Sequence, residues 1–261
     1  PRGTTVSMRF TYDNSVDNPR NPSAPPIRVR AGNRSSDEMA HLQLQVRPKS
    51  TEDLVQLRES LYRDALRKRP DNPWNYYGLG NVLWEQNRLS SAVTQYETGL
   101  TVDPTHAPMR NNLGAVLEAQ GRTEDAASQF QEAISLDPDF ADAHYNYGNT
   151  LLTLGRSDEA IRQYQDTLRL ESNHAEAHAN LGYAYQQQGA LSDAIRHYRD
   201  TVRLQPESTE ALNNLGSALA MSGEFTEAIE LFEQTLARDP SHPQARENLA
   251  LARELERENS R

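Results

Sequence analysis

The sequence predicts an all-α solenoid of stacked helix-turn-helix units, preceded by an extended, non-helical N-terminal arm. Three observations predict it. Pro70, Pro104, Pro138, Pro206 and Pro240 fall on one 34-residue grid, with Ser172 in the missing slot. Three further columns keep the same step: Gly80, Gly114, Gly148, Gly182 and Gly216; Ala92, Ala126, Ala160, Ala194 and Ala228; Tyr96, Phe130, Tyr164, Tyr198 and Phe232. Within each unit the apolar residues recur at helical spacing. A period of this length marks supersecondary units that bury their apolar faces on one another.

Residues 1–50 form the arm. They hold eight Lys/Arg against four Asp/Glu and are rich in Pro, Asn, Ser and Arg. That composition reads as a disordered tail. The alternation in Val6-Met8-Phe10-Tyr12, Ile27-Val29-Ala31 and Leu42-Leu44-Val46 reads instead as short strand-like segments that dock on a sheet edge or groove, the chain's own or a neighbour's. Residues 51–72 form a half-repeat helix, with Leu54, Leu57, Leu61, Tyr62, Ala65 and Leu66 on one face and Ser50-x-x-Asp53 in capping-box spacing. Tyr62, Ala65 and Pro70 match the second half of a unit.

Residues 73–242 form five full units. In residues 141–174, Tyr147, Leu151, Leu152 and Leu154 make one apolar stripe, and Ala160, Ile161, Tyr164 and Leu168 make another. Gly121, Gly155, Gly189 and Gly223, with Asn87 in the first unit, stand where a left-handed residue must end the first helix. The prolines end the second, because proline cannot continue a helix interior. A glycine inside a helix costs ~1 kcal/mol against Ala. The five inner glycines therefore predict close backbone approach, with the Ala column admitting one helix against the other and the aromatic column filling the wider gap. Residues 243–261 close the array as a charged capping helix, with Leu249 and Ala250 in the Leu-Gly slots.

Composition excludes several classes. The chain has 261 residues and no Cys, so disulfides, thiolate metal sites and a Cys nucleophile are absent, while a reducing and an oxidising compartment are both compatible. Residues 51–261 carry 19 Lys/Arg against 33 Asp/Glu. This acidic body argues against a nucleic-acid partner, which needs a basic surface. No window approaches eighteen apolar residues, so direct membrane insertion is not expected. Pro1 in place of Met reads as a chain trimmed before numbering. Asn33-Arg34-Ser35 is a glycosylation sequon that matters only after export.

No catalytic residue, cofactor or metal is predicted. Gly78-Leu79-Gly80 lies inside a helix without a third glycine or a preceding strand, and the common nucleotide, hydrolase and zincin motifs are missing. His174 and His178 are spaced to share a helix face and His144 lies one unit earlier, but no third ligand is evident, so solvent-facing histidines are expected. Glu124-Asp125 and Asp158-Glu159 open second helices, where the helix dipole favours acids.

The columns resemble the tetratricopeptide repeat, on the strength of YYGLGNVL with SAVTQYETGLTVDP and LNNLGSAL with EAIELFEQTLARDP. Tyr76, Arg110, His144, His178 and Leu212 replace the usual Trp, and Thr167, Thr201 and Thr235 replace a usual Ala. The resemblance implies a right-handed superhelix whose first helices line the concave face. It also implies that a carboxylate clamp is absent, because the slots that carry Lys and Arg in chaperone-binding arrays hold Tyr77, Asn111, Tyr145, Ala179 and Asn213 here.

One more column bears on function. Asn112, Asn146, Asn180 and Asn214 share one first-helix slot, Asn248 continues it, and Gly78 breaks it in the first unit. A side-chain amide can pair with both groups of an extended backbone. The array of O-linked N-acetylglucosamine transferase is similar in using an Asn ladder this way, which implies the same use here. Bonds between helices, bonds to local backbone and recent duplication are the competing readings. Five such bonds at about 1 kcal/mol each barely exceed the ~2–5 kcal/mol of ordering a flexible segment, so anchors are needed. Tyr77, Tyr145 and Tyr183, with Asn81 and Asn149, are the candidates, with ordinary packed or exposed Tyr as the alternative. The expected partner is a protein or peptide segment. An alternative is a second copy of the chain, engaged through residues 1–50 to build an oligomer or filament; a weaker one makes the chain the binding portion of a longer enzyme.

Overall fold

The structure is a computed structural model and describes residues 50–259. The arm, with its strand-like segments and expected docking, lies almost wholly outside the described residues. Among these there are twelve helices and no strand: α1 (Thr51–Lys68), α2 (Pro73–Glu85), α3 (Leu89–Val102), α4 (Ala107–Ala119), α5 (Thr123–Leu136), α6 (Ala141–Thr153), α7 (Ser157–Leu170), α8 (Ala175–Gln187), α9 (Leu191–Leu204), α10 (Thr209–Ser222), α11 (Phe225–Arg238) and α12 (Pro243–Asn259). The helices α2 to α11 make five pairs, each packed mainly on itself and then on the next.

Local chemistry sets the boundaries as the sequence predicts. Ser50 Oγ accepts the Asp53 amide at 3.1 Å and starts α1. First helices leave through Asn87 at φ 57° and Gly121, Gly155, Gly189 and Gly223 at φ 72–88°. A Cβ on these glycines would meet nothing within 4 Å, so backbone conformation alone selects them. Second helices stop two residues before the proline column. At the starts of α5 and α7, Arg122 and Arg156 pair with Asp125 and Glu159 at 2.6 Å.

The inner glycines do something more specific than admit a neighbouring helix. A Cβ on Gly80, Gly114, Gly148, Gly182 or Gly216 would lie 2.3–2.9 Å from the ring of Tyr96, Phe130, Tyr164, Tyr198 or Phe232 respectively. Each aromatic ring therefore rests on the bare backbone of its partner glycine, and all five rings are fully buried. The expected division of labour, with aromatics filling a gap left elsewhere, is corrected accordingly: ring and glycine are one contact. Gly78 follows the same rule one unit earlier. Its Cβ would lie 2.2 Å from Tyr62 of α1, which explains why the Asn column cannot extend there.

The Thr column is satisfied internally. Thr167, Thr201 and Thr235 are buried and donate to the carbonyls of Gln163, His197 and Leu231 at 3.0, 3.1 and 2.9 Å. The apolar core runs as one cluster from α2 to α8 and as a second from α9 to α12, with Tyr185 packed against both.

Three first helices begin on a histidine. Nδ1 of His106, His174 and His242 accepts the amide three residues on, at 3.1, 3.3 and 3.2 Å. His106 is 5% exposed, lies 4.4 Å from the Trp74 ring, and its Nε2 has no partner among the described residues. Burial holds its pKa below the usual 6.5, against a smaller opposing pull from Asp103. Protonation would destroy the cap acceptor. The folded state thus disfavours the proton: the contribution is complete above about pH 6.5 and is lost as pH falls below it. His106→Asn keeps a cap acceptor that cannot titrate there. The loss of denaturation midpoint between pH 7.5 and 5.5 should be smaller in His106→Asn than in the parent chain, and equal losses would show that His106 does not carry this dependence.

Candidate functional site

Successive first helices touch: α2 with α4, α4 with α6, α6 with α8, and α10 with α12. No two successive second helices make a comparable contact among the described residues. First helices therefore lie on the short side of the curve, and the Asn column runs along this inner face.

Most of the column is engaged with the preceding unit. Asn112 Nδ2 donates to Asn81 Oδ1 at 2.9 Å and Tyr77 Oη at 3.3 Å. Asn180 repeats the pattern with Asn149 at 2.8 Å and Tyr145 at 3.4 Å. Asn146 donates to Asn111 Oδ1 at 3.0 Å, and Asn248 donates to Asn213 Oδ1 and Ser217 Oγ, both at 3.2 Å. The bonds between helices that sequence left open as an alternative are thus present at four of the five positions. Tyr77, Asn81, Tyr145 and Asn149 belong to the same network.

The aromatic column obeys the network. Tyr96 and Tyr164 donate to Asn81 and Asn149 at 2.6 and 2.7 Å. Burial pushes both phenols up in pKa, so they remain donors. Where Ala115 or Ser217 stands in the Asn81 slot, the ring is Phe130 or Phe232. A hydroxyl is present where an acceptor waits for it.

Asn214 departs from this order. Its side chain makes no hydrogen bond among the described residues, because the slot filled by Tyr77, Asn111, Tyr145 and Asn213 holds Ala179 in α8. A cavity of about 270 Å³ opens there, lined by Tyr145, Glu176, Ala179, Asn180, Glu210 and Asn214 among others. Tyr183, in the Asn81 slot, is 51% exposed instead of joining the network. The cavity lies where the two core clusters part. Sequence reasoning singled out Asn214 and Tyr183 but missed Ala179, Glu176 and Glu210. The signal was Ala179 itself, the one residue of its column without a polar group.

The former Trp column also has a use. Tyr76, Arg110, His144, His178 and Arg246 donate to the carbonyls of Pro70, Pro104, Pro138, Ser172 and Pro240 at 2.7–3.2 Å, tying five of the first helices to the loop before them, while Leu212 of α10 has no group to do so. The expectation of solvent-facing histidines fails here. His144 and His178 are 5% and 7% exposed, because the slot points inward against the preceding loop. Their Nδ1 atoms face the next helix, where His144 meets Gln163 Oε1 at 2.8 Å and His178 meets His197 Nδ1 at 3.0 Å. Burial, then Arg196 and His178, bring the His197 pKa down to about 4.

The tetratricopeptide repeat profile matches residues 58–107, 77–139, 111–175, 145–207, 179–243 and 222–259, overlapping segments that span nearly all of the array. The chain belongs to the tetratricopeptide repeat family. Protein O-mannosyl-transferase TMTC1 of Homo sapiens is 38% identical over 55 residues, which are 21% of this chain and 6% of that protein. The chain thus matches a small fraction of that relative's length. YrrB, a TPR protein with an unusual peptide-binding site, aligns with a TM-score of 0.64 and 22% identity over 72% of this chain and 96% of that one. PilF of Pseudomonas aeruginosa aligns with a TM-score of 0.68 and 19% identity over 76% and 90%. At these identities the likeness establishes the fold. Repeats of this family serve as protein-interaction scaffolds, and among the described residues no helix is long and apolar enough to cross a membrane.

Proposed function

We propose that the chain is a non-enzymatic scaffold that binds an extended segment of another protein along its inner face. The Asn column supplies acceptors to the segment's backbone. Asn112, Asn146, Asn180 and Asn248 turn their amide nitrogens toward the preceding unit, which presets their orientation at no cost at binding. The oxygens of Asn146, Asn180, Asn214 and Asn248 accept no bond among the described residues. Binding centres on the α8/α10 cavity, where Asn214 keeps its whole amide free, Tyr145 and Tyr183 offer aromatic surface, and Glu176 and Glu210 suit a basic side chain. The free Asn214 over that cavity is the observation that carries the reading. The peptide-binding site of the structurally similar YrrB is consistent with it.

The charge contrast between arm and body favours one rival, in which the basic arm of a second copy occupies the acidic array. The reading as a piece of a longer enzyme has only the short likeness to the mannosyltransferase in its support. One experiment separates the first two. An array of random peptides and of overlapping peptides from residues 1–50 would be probed with the parent chain, Asn214→Ala and Ala179→Tyr. Asn214→Ala removes no bond among the described residues, and Ala179→Tyr copies Tyr77 and Tyr145, closing the cavity in a way the fold already tolerates. Both variants should keep the parent melting temperature and lose at least about tenfold in affinity, corresponding to ~1.4 kcal/mol. Binding confined to arm peptides selects self-assembly. Affinity unchanged in both variants removes the cavity from the site.

A further inference from the structure

His178 of α8 is joined by two residues of α9 that sequence spacing did not connect with it. The ligand atoms of His178, His197 and Asp200 all lie within 4.8 Å of one another. We infer that these three side chains form a binding site for a divalent transition-metal ion of the zinc class, with a fourth position open to water.

The donor set suits such an ion, because imidazole nitrogen and carboxylate oxygen are its common ligands and three protein ligands plus water is a common open arrangement. A tetrahedral ion with bonds near 2.0–2.1 Å needs donors about 3.3 Å apart. His178 Nδ1 lies 3.0 Å from His197 Nδ1 and 4.0 Å from Asp200 Oδ2, so a small rotation of the aspartate completes the set. The surrounding groups prepare it. His178 Nε2 donates to the Ser172 carbonyl at 3.2 Å, which fixes the tautomer that leaves Nδ1 with its lone pair toward the site. Arg203 holds Asp200 Oδ1 at 2.9 Å and leaves Oδ2 free. The His197 ring stacks on Tyr185 at 5.7 Å with an interplanar angle of 9°. On ion entry the His197 proton resides on Nε2, so the 3.4 Å contact of Arg196 with that atom gives way; Arg196 keeps its partner Asp193 at 2.9 Å.

The preceding unit is a built-in comparison. His144 occupies the His178 slot with the same carbonyl bond, and Asp166 pairs with Arg169 as Asp200 does with Arg203, but Gln163 stands in place of His197. One residue separates a hydrogen-bonded pair from three converging ligands.

The test uses the untagged full chain, Zn²⁺ titrated calorimetrically and by thermal unfolding, and two variants. His197→Gln recreates the Gln163 arrangement. Asp200→Asn leaves the ring pair intact. The parent chain should bind one ion and gain about 5 °C or more in melting temperature at a hundredfold excess over the dissociation constant. Each variant should lose at least tenfold in affinity, and the metal-free melting temperature of Asp200→Asn should match the parent. Co²⁺ in place of Zn²⁺ should give the visible absorption of a low-symmetry four-coordinate ion in the parent and not in His197→Gln. Absence of saturable one-to-one binding at tens of micromolar Zn²⁺ overturns the site, as does unchanged affinity in Asp200→Asn. If His197→Gln unfolds, Asp200→Asn alone decides.

Discussion

Tyr164→Ala is expected to destabilise the chain by about 3–5 kcal/mol, the range for removing a large buried aromatic. Tyr164 is fully buried, lies across Gly148 and holds Asn149 at 2.7 Å, which in turn receives Asn180 from the next unit. Removing the ring therefore opens a cavity inside one unit and loosens its tie to its neighbour. Because each unit contacts chiefly the units beside it, the loss falls in the middle of the array. Chemical denaturation should change from one cooperative transition to a broader or two-step one. Tyr164→Phe is the control. It loses one hydroxyl bond while Asn149 keeps its Asn180 partner, so about 1 kcal/mol is expected, and Phe130 and Phe232 show that the slot accepts it. A Tyr164→Ala cost no larger than that of Tyr164→Phe would show that the ring does not organise the unit.

Gly148→Ala should destabilise by about 1–3 kcal/mol despite the helix propensity of Ala. Propensity alone favours Ala by ~1 kcal/mol. The added methyl, however, would lie 2.6 Å from Tyr164 Cε1, and a fully buried ring can yield only by displacing its packed neighbours, so overpacking is expected to win. The sign should reverse once the ring is gone. In the Tyr164→Ala background the methyl enters empty space, and Gly148→Ala should become neutral or stabilising. A double-mutant cycle measured by urea denaturation reads this coupling directly. Additive effects would mean that glycine and ring do not share one contact. Gly155→Ala should also destabilise, but through its backbone at φ 72° in open space, and its cost should be the same in both backgrounds.

The residues that announce themselves in the sequence are those whose role is local or is repeated identically in every unit. Proline and left-handed glycine act through their own backbone, so Pro138 or Gly155 can be read in isolation. The aromatic column is legible because it recurs, and the capping-box spacing at Ser50 because its partners are three residues apart. The partner of an inner glycine lies sixteen positions along the chain on another helix, as Tyr164 does from Gly148, and sequence could say that the glycine was needed without saying what touched it. The Asn column shows the same limit. Its alternation with Tyr77, Asn111, Tyr145 and Asn213, and the switch between Tyr and Phe that follows it, are both written in the sequence. Their sense emerges only when consecutive first helices are set side by side.

The 34-residue period by itself determined that this chain is a tetratricopeptide solenoid, where its helices begin and end, and which columns form its core. Those follow from backbone preference and apolar periodicity, which act within one unit and repeat in the next. Tertiary structure alone decided which amides bind their neighbours and which one is left free, that Ala179 opens a cavity beneath Asn214, and that His178 meets His197 and Asp200. These depend on side chains from different helices arriving within about 3–4 Å of one another, the reach of hydrogen bonds and close ion contacts.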